Sequence, residues 1–78
     1  MLEVALNVRC ERDDKIGEEL VLQTVRRFGV IVSETVSSLD GVTLFCRGEV
    51  RALRQCAEQL AQIPSVNGVS MQRCDDVH

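Results

Sequence analysis

Apolar and polar side chains alternate along the first ten residues of the chain. The apolar side chains share one parity: Leu2, Val4, Leu6, Val8 and Cys10. The polar side chains of Glu3, Asn7 and Arg9 share the other parity. This period of two predicts a strand over 2–10 with one buried face.

Three later segments also have the composition of strands. Residues 30–36 form a β-branched run, and residues 42–47 alternate up to Gly48. Residues 66–74 predict the last strand, with a bend at Asn67-Gly68. Between the second and third strands, residues 37–41 predict a turn, because Asp-Gly is a strong tight-turn signal.

Two segments instead carry apolar residues at spacings of three and four, the period of an amphipathic helix. The first helix is predicted over 14–28, with one face formed by Ile16, Leu20, Val21, Thr24, Val25 and Phe28. Glu18 suits its positive end, and Gly29 is well placed as its stop. The second is predicted over 49–63, ending before Pro64, with Val50, Leu53, Cys56, Ala57, Leu60 and Ile63 on one face.

The predicted element order is β-α-β-β-α-β. Because crossovers between parallel strands are right-handed, both helices should lie on one face of a four-stranded antiparallel sheet. This is the α+β, ferredoxin-like sandwich. The alternation predicts that the even-numbered residues of the first and third strands face the helices. The odd-numbered residues should form the open face, whose apolar content we expect to be Ala5, Ile31 and Phe45.

Length and composition indicate a small domain. The chain has 78 residues, which we interpret as one domain over 1–74 and a frayed tail over 75–78. With only two aromatic residues the core must be built from aliphatic side chains, and oligomerisation is a common remedy for a small core. The net charge of -3 and the scattered basic residues argue against direct nucleic-acid binding. Without a membrane-length apolar run or signal-peptide pattern, we expect a cytoplasmic protein.

Four cysteines could indicate a metal site or disulfides. They form no Cys-x-x-Cys pair, and the single histidine is His78. We therefore interpret Cys10, Cys46 and Cys56 as small core residues and expect no metal or other cofactor. A cluster of Cys10 and Cys46 stays open as an alternative, because their strands could be neighbours.

The junction between the first strand and the first helix is the candidate ligand site. Acidic side chains and a glycine enter a first helical turn, whose free backbone N–H groups can hold a small anion or carboxylate. The candidate residues are Asp13, Asp14, Lys15, Ile16 and Gly17. The alternative is purely structural, in which an aspartate caps the helix and Gly17 eases a tight junction.

Several short motifs resemble the ACT domain, a family of small regulatory modules. They are Asp14-Lys15-Ile16-Gly17 before Leu20, Arg27-Phe28-Gly29-Val30-Ile31-Val32, Asp40-Gly41, and Ile63-Pro64-Ser65-Val66 with Gly68-Val69. Ile16 stands where the family usually has proline. The resemblance implies a homodimer and an effector site where the junction of one copy meets an edge strand of the other. It adds Val30 and Ile31 to the candidate ligand-binding residues.

The sequence predicts a regulatory protein rather than an enzyme. It shows no nucleophile paired with a base and no glycine-rich phosphate loop. The first hypothesis is a module that binds an amino acid at a dimer interface through strand 30–36 and signals to a partner protein. The ACT-like heads of transcription regulators have such a layout. The alternatives are a protein-binding chaperone or assembly factor that uses the sheet or its edge, and a metal or redox sensor through Cys10 and Cys46.

Overall fold

The predicted order of strands and helices is confirmed. The computed structural model describes residues 2–10 and 15–74, and within the latter range the side chains from residue 18 onward. The elements are β1 (Leu2–Cys10), α1 (Lys15–Arg27), β2 (Ile31–Ser38), β3 (Gly41–Gly48), α2 (Val50–Ala61) and β4 (Val66–Arg73). No boundary lies more than two residues from its prediction. The predicted frayed tail, residues 75–78, lies outside the described residues.

The four strands form one antiparallel sheet in the order β2-β3-β1-β4. The central pair is β1 and β3, aligned from Leu2 opposite Gly48 to Arg9 opposite Gly41. Each central strand carries one outer strand, so that β2 and β4 are the edges of the sheet. The chain is thus an α+β fold with a four-stranded antiparallel sheet and two helices.

The core lies between the helices and one face of the sheet. It contains the even-numbered residues of the two central strands, as the alternation predicts: Val4, Leu6, Val8, Cys10, Val42, Leu44 and Cys46. Both helices contribute to the same cluster through Val21, Val25, Leu53, Cys56 and Leu60. Since every one of these side chains belongs to a single cluster, both helices pack on the same face.

Two residues predicted for the buried helix faces are exposed. Leu20 retains 42% and Val50 retains 49% of its accessible surface. In α1 the fully buried positions are Val21 and Val25, so the buried stripe is narrower than the apolar pattern and leaves Leu20 beside it. Val50 is the first residue of α2, and the buried residues of this helix begin one turn later, at Leu53.

The first helix ends at Arg27, and Gly29 follows it as the predicted stop residue. Its φ of 73° lies in the left-handed region, which glycine adopts without a steric penalty. The Gly29 N–H donates to the Arg26 carbonyl at 3.0 Å, which satisfies one of the last carbonyls of the helix. Arg26 and Arg27 occupy the last turn, where positive charge is favoured.

A bulge interrupts β2. The register with β3 shifts between Val32 and Glu34, which leaves Ser33 as an extra residue. Val32 therefore lies opposite buried Cys46, whereas Glu34 lies opposite Phe45 on the open face. A second shift, between the β1 residues that pair with Gly68 and Val66 in β4, confirms the predicted bend at Asn67-Gly68.

The turn between β2 and β3 is tighter than predicted. Both strands extend into 37–41, so that only Leu39 and Asp40 remain between them. Gly41 has a φ of 153°, and a Cβ built there would collide with the Val8 carbonyl oxygen. The missing side chain lets β3 begin against the backbone of β1, where the Cys10 N–H donates to the Asp40 carbonyl at 3.1 Å.

Candidate functional site

The residues of the predicted ligand site are only partly described. Asp13 and Asp14 lie outside the described residues. Lys15, Ile16 and Gly17 form the start of α1, and only their backbone is described. At the other half of the predicted site, Val30 is buried in the core and Ile31 is 48% exposed at the start of β2.

The two halves of the predicted site lie at opposite ends of β2 within one chain. The helix α1 has 13 residues, which at about 1.5 Å per residue separates its two ends by about 20 Å. Its first turn lies beside the end of β2, because the Ser37 hydroxyl donates to the Glu18 carboxylate at 2.9 Å. Ile31 lies at the opposite end of that strand, so a second copy of the chain would be needed to unite the halves.

The outer edge of β2 is the surface where a second copy was predicted. Among the described residues this strand pairs only with β3, so its other side has no strand partner there. Glu34 is its single charged residue, while Ile31 and Val36 (45% exposed) supply apolar surface. An edge with so little charge is open to pairing with another strand.

The open face of the sheet carries shallow depressions, two of which are lined by described residues. One has a volume of about 300 Å³ and lies at the end of the sheet where β1 finishes and β3 begins. Its side-chain polar groups come from Asn7, Arg9, Ser38, Asp40, Thr43 and Ser70, and we call it the turn-side depression. The other, of about 290 Å³, lies near the β2 bulge and includes Glu3, Ser33, Phe45, Arg47 and Cys74. We call it the bulge-side depression.

The two depressions differ in how their charges are arranged. In the bulge-side depression, Arg47 pairs with Glu3 at 3.9 Å, and a second carboxylate, that of Glu34, lines the same surface. In the turn-side depression, Arg9 and Asp40 form no ion pair with each other or with any residue of 2–10 and 18–74, the ranges whose side chains the structure describes. Both of these residues are exposed, and the charged side chains of residues 11–15, which follow β1 in the chain, lie outside the described side chains.

The floor of the turn-side depression is polar and ordered by one hydrogen bond. The Thr43 hydroxyl donates to the Asn7 amide oxygen at 2.9 Å. This bond uses only the oxygen of the Asn7 amide and not its two N–H donors. At the rim, the Ser38 hydroxyl donates to the Gly41 carbonyl at 3.2 Å, which fixes the tight turn.

Three of the four cysteines are core residues, as predicted. Cys10, Cys46 and Cys56 are buried and all four cysteines are free thiols. Burial raises the pKa of the Cys46 thiol to about 11, with smaller contributions from Cys56 and Cys74. Burial likewise raises the pKa of Cys56 to about 11. These thiols stay protonated at neutral pH, and a protonated thiol is a poor nucleophile and metal ligand.

The alternative cluster of Cys10 and Cys46 is wrong. Cys46 lies opposite Val4, near the start of β1, whereas Cys10 ends that strand. Six residues of strand separate the two positions by about 20 Å. Within the described part of the chain, no group of three or more His, Cys, Asp or Glu side chains is arranged to hold a metal ion.

Sequence reasoning missed the turn-side depression. Arg9 and Asp40 are distant in the sequence, and the register that places Arg9 opposite Gly41 brings them to one end of the sheet. The signal was nevertheless present. The parity of β1 puts Arg9 on the open face, and the Asp-Gly turn fixes where β3 begins.

Comparison with known proteins does not connect this chain with a family. No family model matches it, and no curated protein matches it either. No helix in the described ranges has both the length and the apolar character needed to cross a bilayer.

Proposed function

We propose that the chain is a non-catalytic regulatory module that binds a small effector between two copies and signals to a partner protein in the cytoplasm. The effector class that fits the predicted junction is the amino acids, because the first turn of a helix favours a carboxylate. The proposal includes a ferredoxin-like fold, supported by the strand order β2-β3-β1-β4 and the shared helix face. It also includes the likeness to ACT domains carried by the motifs described above.

The observation that carries the proposal is the open edge of β2 beside the start of α1. The hydrogen bond from Ser37 to Glu18 holds the first turn of α1 near the end of this edge strand. If β2 pairs antiparallel with its counterpart, the start of one strand approaches the end of the other. The start of β2 in one subunit would then lie toward the end of β2 that carries the α1 junction in its partner.

The side chains of β2 favour one alignment of the two strands. Pairing centred on Val36 places this residue against its own counterpart and Glu34 opposite Ser38 of the partner subunit. This alignment buries apolar surface at the centre and avoids placing the two glutamates opposite each other. The bulge at Ser33 limits the paired segment to 34–38, because a bulge twists the strand away from a neighbour.

Calorimetric titration with each of the twenty common amino acids tests this function. We expect at least one to bind to the purified dimer. Asp14→Asn at the junction should weaken that binding, while Glu58→Gln on the exposed face of α2 serves as the matched control. Absence of heat with all twenty would contradict the proposed function.

The alternative function, a protein-binding chaperone or assembly factor, is favoured by the same exposed edge. An extended peptide could add to β2 as a further strand, with Ile31 and Phe45 supplying adjoining apolar surface. The oligomeric state separates the two functions. If the chain stays monomeric at high concentration and binds no amino acid, the result would favour the alternative function, in which the edge of β2 binds a different protein.

A further inference from the structure

The chain contains two asparagines, which lie in different surroundings. Asn7 is in the central strand β1, opposite Thr43 in β3 and Ser70 in β4. Its side-chain oxygen accepts a hydrogen bond from the Thr43 hydroxyl at 2.9 Å. Asn67 is exposed in the edge strand β4 and is followed by a glycine, whereas Val8 follows Asn7. The two asparagines therefore differ in exposure, in pairing and in the residue that follows them.

Asn67 is the extra residue of the bulge in β4. Gly68 lies opposite Arg9 and Val66 lies opposite Cys10, so no residue of β1 lies opposite Asn67. A bulge leaves its extra residue unpaired and disrupts the hydrogen-bond ladder locally. The backbone at Asn67 is therefore less constrained by pairing than the backbone of a regular strand.

Neither the backbone conformation nor the packing requires a glycine at position 68. Gly29 and Gly41 have positive φ angles, but Gly68 does not. A Cβ built at Gly68 meets no described atom within 4 Å. What the glycine does provide is a backbone nitrogen with no side chain beside it, directly after the exposed amide of Asn67.

We propose that Asn67-Gly68 is a site of spontaneous deamidation in the folded protein. The Gly68 nitrogen gives its proton to hydroxide and attacks Cγ of the Asn67 side chain. A bond forms between this nitrogen and Cγ, and the bond between Cγ and Nδ2 breaks. Nδ2 takes a proton from water and leaves as ammonia. The product of this step is a five-membered succinimide ring.

Water then opens the ring at one of its two carbonyl carbons. Cleavage of the bond between Cγ and the nitrogen gives an ordinary aspartate at position 67. Cleavage of the bond between the main-chain carbonyl carbon and the nitrogen gives an isoaspartate, in which the main chain runs through Cβ and Cγ. The whole reaction consumes one water, releases one ammonia and involves no oxidation or reduction.

The reaction changes the charge of the protein at one end of the sheet. Each product carries a carboxylate where the amide stood, so the net charge of -3 becomes more negative by one. The bulge lies where β1 finishes, since Val66 is opposite Cys10. This inference goes beyond the proposed function and does not depend on effector binding.

Peptide mapping after incubation of the full chain at about pH 8 tests the inference. Trypsin cleaves after arginine and releases peptide 1–9, which contains Asn7, and peptide 55–73, which contains Asn67. We expect peptide 55–73 to gain the mass difference between an amide and a carboxylic acid. It should elute as an aspartyl and an isoaspartyl form, and fragmentation should locate the change at position 67. Peptide 1–9 should keep its mass.

Gly68→Ala is the informative variant, because the structure has room for its methyl group. The methyl group hinders the approach to the backbone nitrogen, so the reaction should be slower by about tenfold or more, or about 1.4 kcal/mol in the barrier. Circular dichroism checks that this variant and the original chain stay folded during the incubation. An equal rate in Gly68→Ala, or an unchanged mass of peptide 55–73, would overturn the inference.

Incubation in urea separates the effect of the fold from that of the dipeptide. In the unfolded chain, Asn67 reacts without structural constraint. If the bulge leaves Asn67 unprotected, the folded chain should react within about tenfold of the unfolded rate. A larger slowing in the folded chain would show that the bulge protects this residue and would overturn the inference.

Discussion

At the scale of single residues, Gly41 decides how the sheet ends. Its φ of 153° and its contact with the Val8 carbonyl oxygen exclude a side chain. The sequence predicts a turn at Asp40-Gly41, but the two-residue length depends on this close approach between β1 and β3. Such a contact between strands is not visible in local sequence preferences, which explains why the prediction made the turn too long.

Gly41→Ala should destabilise the fold by more than about 1 kcal/mol, because the new methyl group collides with backbone that cannot rotate away. Gly68→Ala is the matched control, since a Cβ there meets nothing within 4 Å. Urea unfolding of both variants measures the difference. Equal stability of the two variants would contradict the close approach at Gly41.

The two buried thiols should make the protein less stable at alkaline pH. The pKa of Cys46 and that of Cys56 are each raised to about 11 in the folded state. The unfolded chain ionises these thiols near pH 9, so it binds fewer protons than the folded chain between pH 9 and 11. The stability that these two thiols contribute is therefore fully present below pH 9 and is lost as the pH rises through about 11.

Urea unfolding between pH 7 and pH 10.5 measures this loss. We expect the free energy of unfolding to fall by up to about 1.4 kcal/mol per pH unit for each buried thiol. Cys56→Ala should reduce the slope by the part that Cys56 contributes. The chain has no tyrosine and a single lysine, so few other groups titrate in this range. An unchanged slope in Cys56→Ala would contradict the assignment.

At the scale of elements, the spacing of hydrophobic residues predicted the type and order of the strands and helices and their bounds to within two residues. The alternation of β1 gave its bounds without error and identified the buried faces of β1 and β3. The bulge in β2 could not be predicted, because IVSETVSS has no continuous alternation from which a break would stand out. The candidate junction was predicted from local residues, whereas the position of Arg9 and Asp40 at one end of the sheet required the register of β1 and β3.

The edge of β2 should control the oligomeric state. Val36→Lys places a charge at the centre of the proposed pairing, where it would face its own counterpart, and should convert the dimer to a monomer. Val36 is 45% exposed, so the fold should tolerate the change. Met71→Lys on β4, the other edge, is the control and should remain dimeric. Light scattering distinguishes these results, and a dimeric Val36→Lys variant would contradict pairing through β2.

At the scale of the whole molecule, the chain is a thin two-layer domain. Its extents are 34 × 25 × 17 Å and its radius of gyration is 11.5 Å, close to the value of about 11.5 Å for a compact domain of this length. A domain this small buries only about 60% of the surface that its unfolded chain exposes. Pairing through β2 would add buried surface, so dimer formation and stability should rise together with protein concentration.

We propose that a small charged effector is shared by two subunits. Binding and dimerisation are then linked, since a ligand held across the interface must favour the paired state. Sedimentation equilibrium with and without the amino acids measures this link. We expect at least one of them to lower the dimer dissociation constant by about tenfold or more at saturation. A dissociation constant that stays the same with every amino acid would contradict it.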